Sequence, residues 1–181
     1  MLKEIRIHGR GGQGSVTAAE VLAKAAFKDG TISQAFPAFG SERMGAPVQA
    51  FCRLSDRRIR TRAVIAEPDY VIVQDPTLFS QVDIFGGLKD GGVAVVNTEK
   101  PEDISVPEGV VVKPVPGTKI AMEVIGRDIP NMVMVGAFAG TTGLVSLASL
   151  QAAAKERFGG KVGDLNAEAM EKAYKAAQEA K

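Results

Sequence analysis

Six residues near the start, Gly9-Arg10-Gly11-Gly12-Gln13-Gly14, constrain this chain more than any other feature. Gly9, Gly11 and Gly14 form a G-x-G-x-x-G pattern. The preceding run, Leu2–His8, alternates with Ile5 and Ile7 on one side and predicts a first strand. Beyond the glycines, Val16, Ala19, Leu22, Ala23, Ala26 and Phe27 recur at helical spacing as far as Lys28, and Gly30 is a natural stop. A glycine turn from strand to helix lets the backbone approach a ligand closely. The helix start adds unpaired N–H groups and a partial positive charge, which suit a phosphate or a carboxylate. By itself the pattern is also compatible with a tight turn that holds nothing.

Neither standard nucleotide site is completed. A nicotinamide site needs an acid at the end of the second strand for the ribose hydroxyls. That strand reads Ser33-Gln34-Ala35-Phe36-Pro37-Ala38-Phe39, with no acid, and Glu42 falls later. A phosphate loop of the Walker type needs a lysine where Ser15 follows Gly14. A second constellation follows at Gly40-Ser41-Glu42-Arg43-Met44-Gly45-Ala46-Pro47. Arg43 is suited to paired hydrogen bonds with a phosphate or carboxylate, and Ser41 and Glu42 are its polar neighbours. Loops that follow parallel strands gather at the carboxyl edge of a sheet, which would bring this segment beside Gly11–Gly14.

Further along, Thr31–Phe39 predicts a second strand, and Val48–Leu54 with Ile59–Ile65 predict a hairpin around Ser55-Asp56-Arg57-Arg58. Tyr70–Gln74, Val93–Asn97 and Val110–Val115 predict buried parallel strands. Asp75-Pro76-Thr77 opens a short helix, and another spans about Lys119–Ile125. Asn131 is placed to cap a helix through Met132–Ala139, Ser146 or Ser149 one toward Phe158, and Asn166–Ala180 forms a terminal helix after a break at Gly159-Gly160. The whole predicts an α/β, Rossmann-like layered fold in one domain, 1–181, with a mainly parallel sheet, a central β-hairpin and a helical C-terminus. A net charge of +1 gives no electrostatic case for nucleic acid or membrane, and Met132–Val145 is too short and too interrupted to span a bilayer. One cysteine, Cys52, excludes an internal disulfide or a self-held iron–sulfur cluster, and one histidine, His8, leaves almost no material for a metal site. The expected setting is reduced and cytoplasmic.

The segments His8–Gly14, Ala35-Phe36-Pro37, Ser41–Pro47, Glu67–Thr77 and Pro130–Ala137, in order along nearly the whole chain, resemble the gamma subunit of the pyruvate:ferredoxin oxidoreductases, within the 2-oxoacid:ferredoxin oxidoreductase family. The resemblance implies a multi-subunit enzyme converting a 2-oxoacid, coenzyme A and oxidised ferredoxin to acyl-CoA, CO2 and reduced ferredoxin. It implies thiamine diphosphate, Mg and 4Fe-4S clusters in alpha, beta and delta-type partner subunits, and a gamma chain that is inactive alone, has no redox role and helps bind coenzyme A. On this reading backbone N–H groups at Gly11, Gly12 and Gly14 meet a polar or phosphate part of coenzyme A. Arg43 supplies charge, and Gln13, Ser41 and Glu42 are polar partners. No catalytic or metal-binding residue is assigned to the chain. Gamma subunits for 2-oxoisovalerate, 2-oxoglutarate or indolepyruvate share much of the pattern. A nucleotide-binding regulatory protein and an interaction module are the alternatives from other classes.

Five features invite a bland reading beside a sharper one. His8 is expected to be a hydrogen-bonded structural histidine, Cys52 a packed residue, and Met132 and Met134 core or subunit contacts. Arg57, Arg58, Arg60 and Arg62 form a basic cluster, read as a solvated face, with a partner contact or a phosphate site as the sharper options. Asp75-Pro76-Thr77 reads as a turn that could also line the carboxyl edge.

Overall fold

The computed structural model describes residues 1–38 and 43–180. Strands β1 (Leu2–Arg10), β2 (Ile32–Pro37), β3 (Pro47–Ser55), β4 (Tyr70–Val73), β5 (Val93–Asn97) and β6 (Val111–Val115) form one sheet in the order β2-β3-β1-β4-β5-β6. Helices α1 (Ser15–Lys28), α2 (Gly117–Val124), α3 (Asn131–Thr142), α4 (Leu147–Phe158) and α5 (Gly160–Glu179) complete the chain, with a 3-10 turn at Pro76–Ser80. β1, β4, β5 and β6 are parallel, and β3 runs antiparallel between β1 and β2. The mainly parallel α/β architecture with a helical C-terminus is therefore as expected.

The antiparallel pair lies one element earlier than the spacing predicts. Both edges of β3 are taken, by β1 and by β2, so no ladder remains for Ile59–Ile65. That run has no regular structure. Arg53 Nη2 donates to the Ala63 carbonyl at 2.7 Å, and Arg6 Nη1 reaches the Ala66 carbonyl at 3.4 Å. Side-chain donors thus replace the strand partner, and only Ile65, 3% exposed, is driven into the interior.

Two boundaries also shift. Asn131 is the first residue of α3 rather than its cap. Its Oδ1 accepts from the Met132 N–H at 2.9 Å, and its Nδ2 reaches back to the Gly14 carbonyl at 3.3 Å. α5 begins at Gly160, six residues before the expected Asn166, because Gly159, at φ 67°, ends α4 and reverses the chain at once. Ser146 does cap α4, accepting from the Ser149 N–H at 3.2 Å.

All five helices share one face of the sheet. Ile5, Ile7, Cys52, Leu54, Ile72 and Val95 point into that layer. The opposite strand positions, Val71, Val73, Ala94 and Val96, pack beneath Leu78 and Ile84 in a smaller cluster with no α-helix over it. α3 is buried along most of its length, Asn131–Gly140, which explains why it is apolar all round. Met132 and Met134 are fully buried core. α5 crosses α3 closely, because a Cβ on Gly136 would lie 2.4 Å from the Met170 carbonyl oxygen.

Gly136→Ala is therefore expected to destabilise the fold by about 1–3 kcal/mol, although alanine is the better helix former by about 1 kcal/mol. A urea unfolding midpoint lowered in the variant is the expected result, and an unchanged or raised midpoint would show that α5 is loosely held.

Candidate functional site

The parallel strands β1, β4, β5 and β6 all end at one edge, and the loops that follow them meet there. β1 leads through Gly11–Gly14 into α1. Gly12 and Gly14 have φ values of 92° and 73°, the left-handed region that favours glycine. At Gly11 the demand is space, because a Cβ would stand 2.1 Å from the Arg43 carbonyl oxygen.

The two glycine-bounded segments are joined at this contact, where Gly11 bridges to Met44. The Gly11 N–H donates to the Ala46 carbonyl at 2.8 Å, and the Gly45 N–H donates to the Gly11 carbonyl at 3.0 Å. Arg10 Nη1 also donates to the Gly45 carbonyl at 2.9 Å. Arg43 stands exposed beside the junction. Ser41 and Glu42 lie outside the described residues.

A polar network fixes the loops. Arg10 Nε contacts Asp75 Oδ2 at 3.0 Å, and its other arm donates to Thr77 Oγ1 at 2.7 Å. Gln13 Nε2 donates to the same Asp75 oxygen at 3.0 Å, while Gln13 Oε1 accepts from the Arg10 N–H at 2.7 Å. Burial alone would raise the Asp75 pKa. Hydrogen bonds from the Thr77 hydroxyl, the Gln13 amide and the Thr77 N–H, with the charge of Arg10, outweigh it and hold the carboxyl below its ordinary value. Asp75-Pro76-Thr77 is thus both a turn and part of the edge. A second line of amides runs deeper. Ser15 Oγ donates to Gln74 Oε1 at 2.6 Å, Asn97 Nδ2 donates to the Gln74 carbonyl at 2.9 Å, and the Thr118 N–H donates to Asn97 Oδ1 at 3.0 Å. Buried Gln74 Nε2 has no partner among the described residues. Alongside, a cleft of about 460 Å³ is lined by Pro76, Thr77, Asn97, Lys100, Pro116 and Lys119.

The expected site residues divide by what they have left to offer. The Gly11 N–H is engaged with Ala46, so it does not serve as a ligand donor; Gly11 contributes close packing. Gln13 spends both ends of its amide inside the protein. The N–H groups of Gly12 and Gly14 have no protein acceptor among the described residues. α1 has no side-chain cap and no acid in its first turn, which leaves its positive end open to an anion. Sequence pattern does not mark Arg10 or Gln74 as site residues, and it offers Asp75-Pro76-Thr77 as a turn that could line the edge. Arg10 lies within the glycine motif, but neither pattern shows that Arg10 and Asp75 meet across 65 positions.

His8 is structural. It is 1% exposed, and its Nε2 accepts from Arg6 Nε at 2.9 Å. Burial first, then the charge of Arg6, push its pKa from 6.5 down to about 3. Cys52 is buried, and burial raises its thiol pKa well above the ordinary value, so it is a packed residue. Among the described residues no group of three His, Cys, Asp or Glu side chains is placed to hold a metal ion. No helix among them is long and apolar enough to cross a membrane.

This edge defines a class: an α/β domain with a glycine turn, an uncapped helix start and a neighbouring cation at the carboxyl ends of parallel strands. Residues 4–176 match the family model described as pyruvate ferredoxin/flavodoxin oxidoreductase. The chain is 56% identical to the pyruvate synthase subunit PorC of Methanothermobacter marburgensis over 171 residues, 94% of this chain and 95% of that one. It is 53% identical to the pyruvate/ketoisovalerate oxidoreductases common subunit gamma of Thermococcus kodakarensis over 176 residues, 94% of this chain and 95% of that one. The crystal structure of the pyruvate oxidoreductase subunit PORC from Thermotoga maritima superposes with a TM-score of 0.83 at 37% identity, covering 96% of both chains. The 2-oxoglutarate:ferredoxin oxidoreductase from Magnetococcus marinus, solved with 2-oxoglutarate, coenzyme A and succinyl-CoA bound, gives 0.81 at 25% identity. There the match covers 99% of this chain and 31% of that longer one. The chain belongs to the pyruvate ferredoxin/flavodoxin oxidoreductase family, and within it the gamma subunits are what it resembles.

The state of His8 makes a pH prediction. Below about pH 6.5 the unfolded chain takes up a proton that the folded chain refuses, so stability falls as pH drops toward 3, by up to roughly 1.4 kcal/mol per pH unit from this group. His8→Gln keeps an acceptor for Arg6 but cannot titrate. Urea unfolding between about pH 7 and 5 is expected to show a shallower loss in the variant; equal slopes would refute the assignment.

Proposed function

We propose that this chain is the gamma-type subunit of a multi-subunit 2-oxoacid:ferredoxin oxidoreductase, with pyruvate the preferred 2-oxoacid, and that its carboxyl edge holds coenzyme A for chemistry housed in alpha, beta and delta-type partners. The observation that carries it is the junction of Gly11 with Arg43–Ala46 beside the uncapped start of α1. It brings the backbone of exposed Arg43 beside the start of α1 and the N–H groups of Gly12 and Gly14, which have no protein acceptor among the described residues. That is a setting for a phosphate-bearing ligand. A similar fold solved with coenzyme A bound supports the choice of ligand.

In this reading Gly12 and Gly14 donate N–H groups to a phosphate or other polar part of coenzyme A, and Arg43 supplies charge. Ser41 and Glu42 remain polar partners in the proposal. Gln13 acts one step back, holding Arg10 and Asp75 so that the loop keeps its shape. The chain contributes positioning: a thiol held at a fixed place meets its reaction partner without the entropy cost of a free encounter. Thiamine diphosphate, Mg and 4Fe-4S clusters belong to the partners in this proposal, where they supply decarboxylation and electron transfer to ferredoxin. The residues here do not suit a cluster, since the single cysteine is buried and its thiol is held protonated. The common-subunit name of the Thermococcus kodakarensis relative favours a second reading, a gamma chain shared between enzymes for pyruvate and 2-oxoisovalerate.

Arg43→Ala in the assembled enzyme is expected to raise the apparent KM for coenzyme A about tenfold, the size of one lost charged hydrogen bond. The KM for the 2-oxoacid should change far less. An unchanged coenzyme A dependence would overturn the assignment.

A further inference from the structure

The glycine loop does not account for the four arginines between β3 and β4. Arg57, Arg58, Arg60 and Arg62 are all exposed. Among the described residues none of the four forms an ion pair with a carboxylate. The nearest acid in sequence, Asp56, contacts the N-terminal ammonium at 2.5 Å. The chain holds 22 basic and 21 acidic residues, so without these four it would carry 18 against 21, a net −3. Apart from this segment the molecule is slightly acidic.

The segment is held in place although it has no regular structure. The Arg57 N–H donates to Ser55 Oγ at 3.0 Å, the Ala63 N–H donates to Thr61 Oγ1 at 3.2 Å, and Arg53 and Arg6 grip the carbonyls of Ala63 and Ala66. Ile65 is buried beneath it. Much of the ordering that a binding loop would otherwise lose on docking is therefore already done by the fold. The segment also lies away from the glycine loop. It leaves β3 at Ser55, which pairs with Leu2 at the amino end of β1, whereas Gly11 follows the far end. Nine residues of strand separate the two ends by roughly 30 Å. The four arginines are thus a surface apart from the phosphate-binding edge.

We propose that Arg57–Arg62 is a docking strap for an acidic face of a partner subunit. Arginine is enriched at protein interfaces, and its fork pairs with carboxylates in two-point contacts. A protein is favoured over nucleic acid because residues 56–66 contain no aromatic side chain for stacking, and the four arginines span only six positions of a chain with a net charge of +1. The inference rests on the reading that this chain works in a multi-subunit enzyme.

The test co-produces the chain with the other subunits of its complex and recovers the assembly through a tag on a partner. Replacing the four arginines together by glutamate is expected to lower recovery of this chain about tenfold at low salt. Replacing them by lysine should keep most of it, and rising salt should release the wild type. Thermal unfolding of the isolated glutamate variant should match wild type, since the side chains are exposed. Should that variant fail to fold, Arg60→Glu alone and the salt titration decide: wild-type recovery unaffected by salt overturns the proposal. A glutamate variant recovered as well as wild type overturns it too, as does nucleic acid that co-purifies with wild type and is lost from the variant. A wild-type chain that purifies without partners sinks the multi-subunit reading as well; an assembled wild type with an equally assembled variant sinks this inference alone.

Discussion

The guanidinium of Arg10 holds the functional edge together. It sits at the last position of β1 and reaches four partners at once: Asp75, Thr77 and Gln81 in the segment after β4, and the Gly45 carbonyl before β3. Loops usually take their shape from their own short-range turns. Here the loops before β3 and after β4 are tied by one planar fork, whose charge strengthens each contact. The Gly11–Ala46 and Gly45–Gly11 backbone bonds complete the seam. Without such a tie, two glycine-rich segments would be free to part, and the N–H groups of Gly12 and Gly14 would have no fixed direction.

The other face of the sheet is organised by two buried arginines. Arg53, 2% exposed, pairs with Glu4 at 2.8 Å, and Arg6, 6% exposed, spreads over His8 and the carbonyls of Ile84 and Gly86. No α-helix packs here, so backbone carbonyls in the crossing coil need donors, and the arginines provide them. An isolated charge in this position would be costly; several hydrogen bonds apiece make it tolerable. Neutral His8 fits the same scheme, because only an unprotonated Nε2 can accept from Arg6.

These arginines also mark where reading the sequence stops working. β1, α1, β4 and β5 were legible because each is a local pattern: alternation, helical spacing, or a short apolar run between turn residues. The meeting of the glycine loop with the segment before β3 was legible, because loops after parallel strands converge at one edge. Ile59–Ile65 alternates like a strand, but its fate is set by Arg53, which takes the Ala63 carbonyl, and by Arg6, which takes that of Ala66 just beyond; neither claim leaves a local trace. Gly159-Gly160 was read as a break, yet a left-handed glycine can end one helix and start the next. The engagement of the Gly11 N–H by Ala46 follows from a segment more than thirty residues away and is invisible in the motif itself.

α3 lies between the sheet and α5, with Gly136 and Gly140 pressed against the backbone at Met170 and Tyr174. A helix walled in on every side has no free surface on which drift can accumulate. Any bulk gained at those glycines must be matched by retreat of the neighbouring backbone, which no single codon change supplies. The two helices are therefore bound to vary together or not at all, and the length of chain between them is free to change only if their crossing point stays where it is.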